Sequence, residues 1–205
     1  MARKAVEQEL NREIIVEVAR ELFATKGYQS VSMRAIAKKL GYSHGSLYYH
    51  FQDKAELFYN LVVDDFTHLF NRQMKILNDG KHSAMERLKI MMEEFIQFGL
   101  QNKFQYEIMF LIQDNDLRRY SRTEQAKCFD LFSRAVNAAL EETASIEISL
   151  FSLPWSLFMS LHGFVTYCNR FDQTYDEVQK LANDHITFLC NNLLKNLADI
   201  ETVQR

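Results

Sequence analysis

Proline is nearly absent from this chain. Its 205 residues include one proline, 6 glycines and 3 cysteines. So few turn formers argue against a turn-rich sandwich or barrel and favour long helices. Cys128, Cys168 and Cys190 are odd in number and show neither CxxC nor zinc-finger spacing. A disulfide framework and a structural metal site are therefore disfavoured, and a reducing compartment fits. The opening MARKAVEQELNREII alternates charged with apolar residues and lacks the continuous apolar stretch of a signal peptide, so a cytoplasmic protein is expected. Catalytic signatures are missing as well: there is no G-x-S-x-G, no H-E-x-x-H and no Gly-rich phosphate loop. His162 and Cys168 stand six apart on one expected helix, which points them to different faces and suits no nucleophile–base pair. Neither an enzyme nor a cofactor is expected.

What is present is a foldable, helix-patterned chain. Hydrophobic residues make up 47% and charged residues 25%, enough to bury a core. Leu10, Ile14, Val18 and Leu22 step by four, with Ile15, Ala19 and Phe23 beside them, predicting a helix over 8–26 closed by Gly27. Ser32 is placed to cap a short helix through Leu40, with Ala35, Ile36 and Leu40 inward, and Gly41 stops it. Ser43 then caps another short helix to about His50. Capping boxes at Asp53–Glu56, Ser83–Glu86 and Thr174–Glu177 open three longer helices. Residues 104–114, 118–142 and 152–170 also carry helical periodicity, and no segment alternates as a strand does. The fold class expected is all-α, with about nine helices.

Charge is unevenly spread. Residues 1–60 carry a net +2 and residues 61–205 a net −5. From 22 to 54 there are five basic residues, Lys26, Arg34, Lys38, Lys39 and Lys54, against one acid, Asp53. A locally basic stretch on an acidic protein is what a phosphate-facing surface needs.

Residues 30–54 are the most informative. Two short helices joined by Gly41-Tyr42-Ser43 match helix-turn-helix geometry, and Ala37 is small enough to let the helices cross closely. The second helix spends its outward positions on His44, Ser46, Tyr48, Tyr49 and His50, hydrogen-bonding types without an acid. Leu47 and Phe51, four apart, already supply a core-facing pair.

These residues resemble the tetracycline-repressor (TetR) family of bacterial transcription regulators. The likeness rests on Ile36-Ala37, Gly41, Ser43, Gly45, Leu47-Tyr48, His50-Phe51, Lys54 and Leu57, with Phe23 and Gly27-Tyr28 before them. It covers about residues 10–60. It implies a helix-turn-helix DNA-binding domain over 1–54 and a helical effector-binding and dimerisation domain over 55–205. Carried over residue by residue, it places Tyr48 and Lys54 at phosphates and Arg34 at a phosphate or a groove edge. Ser43, His44, Gly45 and Ser46 fall at the entry of the recognition helix, and Tyr49 and His50 at backbone or bases. The implied partner is double-stranded DNA, read as a palindromic operator by a homodimer.

In the remaining chain, Ile148–Asn169 runs 22 positions without a charge, yet contains Pro154, His162 and four serines. Ser149, Ser152, Ser156 and Ser160 form one small-residue face, which suits a buried or subunit-interface helix rather than a membrane span. Paired with Ile186, Leu189, Leu193, Leu194 and Leu197, it would give a four-helix dimer bundle about a two-fold axis. A ligand cavity is the other expectation that the family carries. Its candidate walls are Phe95, Phe98, Phe104, Tyr106, Met109, Phe110, Trp155, Phe158, Met159, His162 and Tyr167. Phe158-x-x-x-His162-Gly163 resembles an aromatic–His–Gly signature of one subgroup, which usually has Trp at the aromatic position. Such walls favour a mostly apolar small molecule as effector. A C-terminal domain for dimerisation or partner recruitment without any effector stays open, as does a redox pair of Cys168 with Cys190 against two inert buried thiols.

Overall fold

A computed structural model describes residues 9–112, 115–143 and 152–203. Among these residues there are nine α-helices and no strand. The helices are α1 (Arg12–Lys26), α2 (Met33–Leu40), α3 (His44–Tyr48), α4 (Lys54–Leu77), α5 (Ala84–Gln101), α6 (Lys103–Tyr106), α7 (Asn115–Thr143), α8 (Ser152–Arg170) and α9 (Tyr175–Val203). A π-helical turn, Glu107–Leu111, follows α6 directly. The chain forms two compact units. One runs through Asp65 and takes in Ile112–Ser121; the other holds Phe66–Leu111 and the residues from Arg122 onward.

In the first unit, α1 starts later than its apolar spacing suggests. Asn11 is the N-cap, its side chain accepting from the Ile14 amide at 2.9 Å. The buried seam is Ile15, Ala19, Leu22 and Phe23, while Ile14 and Val18 are only half-buried. In α2 the inward face is Met33, Ile36 and Ala37, with Leu40 half-buried and Ala35 exposed. The expected phase was one position off. Starting from Ile36, a helix returns to the same face at 33, 37 and 40, not at 35. Arg20 ties α1 down. Arg20 pairs with Asp65, with Asp64 at 3.3 Å and with Glu17 at 3.4 Å.

The second unit packs α5 against both α8 and α9. Its interior is built from Leu88, Met92 and Phe95 of α5, Phe132 and Val136 of α7, Leu161 and Val165 of α8, and Ala182 and Ile186 of α9. On α9, Ile186 and Leu193, expected in a subunit bundle, are instead buried within the protomer, and Leu189 is half-buried there. Ser149 and the side chains of Leu194 and Leu197 lie outside the described residues. Ser152 and Ser156 are exposed, and the Ser160 hydroxyl meets Nε2 of His185 at 3.1 Å. No described helix is long and apolar enough to cross a membrane.

The three capping boxes form to different degrees. At Ser83 both arms are present. Asp53 caps the Glu56 amide at 2.8 Å, but Glu56 reaches back to the Gln52 amide instead of that of Asp53. At Thr174 the Glu177 carboxylate accepts from both the backbone amide and the hydroxyl.

Gly99 sets the closeness of α5 and α8. A methyl added there would meet Val165 Cγ1 at 2.5 Å and Tyr106 Cδ2 at 3.1 Å. The buried Asn169 amide also donates to the Gly99 carbonyl at 3.0 Å. Alanine favours a helix over glycine by about 1 kcal/mol, but Val165 is β-branched and cannot swing aside cheaply. Gly99→Ala should therefore lower stability, by about 1–3 kcal/mol of overpacking, measured as a shift in the urea unfolding midpoint.

Candidate nucleic-acid interface and ligand cavity

The turn between α2 and α3 is fixed by backbone chemistry. Gly41 sits in the left-handed region at φ 78°, a conformation that costs any residue with a Cβ. Its amide bonds the Lys38 carbonyl at 3.3 Å, and the Tyr42 amide bonds the Ala37 carbonyl at 3.1 Å. Together these make a Schellman stop for α2. Ser32 opens α2 by accepting from the Ala35 amide, and Ser43 opens α3 by accepting from the Ser46 amide, both at 3.2 Å. Leu47 and Phe51 are fully buried and pin α3 from below.

With α3 pinned, its other side chains face outward. Tyr49 is 92% exposed and Tyr48 45%. The His44 and Tyr48 rings meet edge to face with centroids 4.9 Å apart. Arg34, His44, Tyr48 and Lys54 line one groove of about 530 Å³, together with Gln29 and Ser32. Gly45 is exposed and His50 half-buried, and neither lines that groove. The Ser46 hydroxyl is 2.7 Å from that of Ser43, so part of its bonding capacity stays within the helix start.

Two basic side chains are more engaged than their sequence positions suggest. Lys39 pairs with Glu21 of α1. Lys54 donates to the Tyr28 carbonyl at 2.9 Å and lies 4.0 Å from the centre of the Tyr28 ring. Partial burial lowers its pKa from the ordinary lysine value. Its ammonium carries three donors, so one such bond leaves capacity for an anion.

Sequence reasoning missed Arg12. Its guanidinium lies 4.1 Å from the centre of the Phe51 ring and donates to the His50 carbonyl just past α3. It also donates to Glu56 at 3.2 Å and Asn60 at 3.1 Å. One side chain thus joins α1, the end of α3 and the start of α4. No local pattern marks it, because every partner lies at least 38 positions away.

The second unit holds an aromatic cavity of about 490 Å³. Of the expected wall residues, Phe110, Trp155, Phe158, Met159 and His162 line it. Phe95 and Tyr106 stand behind that wall in ring contact with His162, at 5.0 and 5.7 Å between centroids. Phe98 and Met109 are buried without lining it, Phe104 is half-buried elsewhere, and Tyr167 is exposed against Phe171. The sequence reading overlooked the whole α7 side, namely Arg122, Gln125, Ala126 and Phe129, together with Leu111.

The π-helical turn aims Phe110 into this cluster. A wider turn breaks the usual backbone pattern, and Gln125 answers by donating to the Met109 carbonyl at 2.6 Å. Behind Phe110 the Tyr106 hydroxyl meets Nδ1 of His162 at 2.6 Å, and Thr166 Oγ1 lies 3.5 Å from the same hydroxyl. Burial pushes the Tyr106 pKa up to about 12 and that of His162 down to about 4. The imidazole is therefore neutral near pH 7. The Tyr106 hydroxyl occupies Nδ1, which leaves Nε2 as the other ring nitrogen of His162. No group of three or more His, Cys, Asp or Glu side chains fit to hold a metal occurs among the described residues. Cys128, Cys168 and Cys190 are all free and buried, and burial raises all three thiol pKa values.

A histidine held neutral in the fold gains a proton on unfolding between its two pKa values. Stability should fall as pH drops from about 6.5 to about 4, by at most about 3 kcal/mol from this one group. His162→Gln should flatten that part of the profile, measured by urea unfolding at half-unit pH steps.

Comparison with known proteins places this geometry. Residues 15–61 match the family described as "Bacterial regulatory proteins, tetR family". The chain is 34% identical over 134 residues to the HTH-type transcriptional regulator SAB2452 of Staphylococcus aureus (strain bovine RF122 / ET3-1), covering 64% of this chain and 69% of that protein. It is also 34% identical over 124 residues to SAUSA300_2515 of Staphylococcus aureus (strain USA300), covering 60% of this chain and 65% of that one. Among solved structures, the transcriptional regulator FadR from Bacillus subtilis in complex with stearoyl-CoA superposes with a TM-score of 0.74 at 19% identity, over 88% of this chain and 98% of that chain. A regulator of the TetR/AcrR family from Thermobifida fusca gives 0.68 at 20% identity, over 88% and 96%. Helix-turn-helix geometry, family match and relatives agree: the chain belongs to the TetR family of bacterial DNA-binding transcriptional regulators.

Proposed function

We propose that this regulator is a dimeric repressor that binds a palindromic operator and is released by a small, mostly apolar molecule held in the second unit. The observation that carries the release step is the aromatic cavity around His162. It has the size and the lining of a small-molecule site, largely rings with a few polar groups. A FadR neighbour solved with stearoyl-CoA supports the idea that this fold can hold an apolar ligand.

On the DNA side, Arg34, Tyr48 and Lys54 take phosphates, while His44, Gly45 and Ser46 meet base edges at the start of α3. Ser43 caps that start, and Tyr49 and His50 extend the contact along the backbone. Dimerisation uses α8 and α9, which with the turn between them expose Met159, Tyr167, Phe171, Leu181 and Phe188. Large apolar side chains gathered in this way mark an interaction surface. A two-fold dimer sets two copies of α3 against half-sites roughly 34 Å apart. A ligand that binds better to the protomer arrangement mismatched to that spacing lowers operator affinity by its own preference.

Selection of bound fragments from random DNA, repeated across salt concentrations, tests the reading. A palindromic consensus whose affinity falls steeply with salt supports it; tight binding without a consensus overturns the operator reading. Dimer mass in sedimentation, lost in Phe188→Glu, supports the α8–α9 interface. Lys54→Ala should weaken selected and random DNA alike, whereas His44→Ala should relax one base step. Arg12→Ala alters no side chain that lines the groove. It should still cost about tenfold in operator affinity, because the end of α3 loses its fork-shaped anchor. Gel-shift titration with matched helical content by circular dichroism checks this.

A further inference from the structure

We propose that the cavity of the second unit takes a flat aromatic acid, its rings among Phe129, Trp155 and Phe158 and its carboxylate at Arg122. This rests on the ligand-release reading above and names the chemical class that such a ligand belongs to.

Shape argues for a flat body. The Phe129 and Trp155 rings lie 4.0 Å apart between centroids at an interplanar angle of 26°, a stacked pair on the cavity wall. Phe158 stands edge-on to Phe129 at 66°, with Phe110 further round the same wall. Parallel and perpendicular ring faces meeting in one concavity suit a planar π-system, which finds both stacked and edge contacts there.

Charge argues for an acid. Among the described residues, Arg122 is the one arginine or lysine lining the cavity, and no described aspartate or glutamate lines it with Arg122. The guanidinium is exposed and has no salt-bridge partner among the described residues, so its five donors in a planar fork are available to a carboxylate. Deeper in, neutral His162 offers Nε2 for a hydrogen bond, its other nitrogen being taken by Tyr106. A neutral apolar ligand would leave Arg122 without purpose in the lining. A cationic ligand would meet Arg122 as a like charge.

The test is calorimetric titration of the full-length protein with 2-naphthoate, the neutral 2-naphthamide and straight-chain decanoate. The proposal expects the acid to bind about tenfold tighter than the amide, the worth of one charge-assisted pair. Arg122→Gln should close that gap, and its exposed position makes the fold indifferent to the change, which a thermal melt verifies. Ala126→Trp, at the cavity wall, should abolish binding of both naphthyl compounds. Equal affinity for acid and amide, or a gap that survives Arg122→Gln, overturns the acid assignment while leaving an apolar cavity standing. Decanoate binding tighter than 2-naphthoate overturns the flat body. Binding of none of the three, or binding indifferent to Ala126→Trp, overturns the proposal. If 2-naphthoate binds as expected yet leaves operator affinity unchanged, the ligand class stands and the release reading fails.

Discussion

A helix of five residues does not persist in water. Nucleating the first turn fixes several backbone angles for a single hydrogen bond, and short segments never recover that cost from propagation. Two segments here are that short: α3, and the π-helical turn that follows α6. Each shapes a concave surface, and each is held by groups from elsewhere. Leu47 sinks into the first unit, and Arg12 grips the carbonyl just past α3. Tyr106 is fully buried under α8, and Gln125 satisfies the Met109 carbonyl within the turn. A rigid scaffold of long helices thus presents two small, shaped elements that have no stability of their own.

In both units, polar groups that reach between elements are met by partners, which offsets the cost of taking them out of water. Arg20 is largely buried and is met by three carboxylates. Lys103 anchors the last turn of α8 through the Asn169 carbonyl at 2.8 Å and Asp172 at 2.6 Å. Tyr175 reaches Glu93 on α5 at 2.8 Å. His162 stays neutral and shares its hydrogen bond with Tyr106, so the cavity wall behind it holds no charge. These pairings define which way each helix faces. Greasy packing alone would tolerate several rotations.

Much of the fold was legible in the chain. Ser32, Ser43 and Ser83 cap where local spacing places them, because a capping bond spans only three residues. Gly41 takes the left-handed turn and Gly27 closes α1 at positive φ, as their positions demand. The groove around Arg34, His44, Tyr48 and Lys54 followed from one compact motif of about 25 residues. The cavity was half legible. Aromatic residues on the π-helical turn and α8 were found through their periodicity, whereas the α7 side was not. Arg122, Gln125 and Ala126 look like any solvated helix face, and only the approach of α7 to α8 turns them into a wall.

By itself, then, the sequence determined what depends on near neighbours: the all-α class, most helix ends, the helix-turn-helix and the residue types that it carries. Propensity, capping and turn chemistry act within a few positions, so they can be read along a line. Tertiary structure alone decided which face of α2 turns inward, that Arg12 secures the end of α3, and that Lys54 is shared with Tyr28. It also decided that a π-helical turn interrupts an ordinary apolar run and that Arg122 stands beside Phe129 and Trp155. Each of these depends on side chains brought together from distant positions. Packing and desolvation act through space, and no spacing along the chain encodes them.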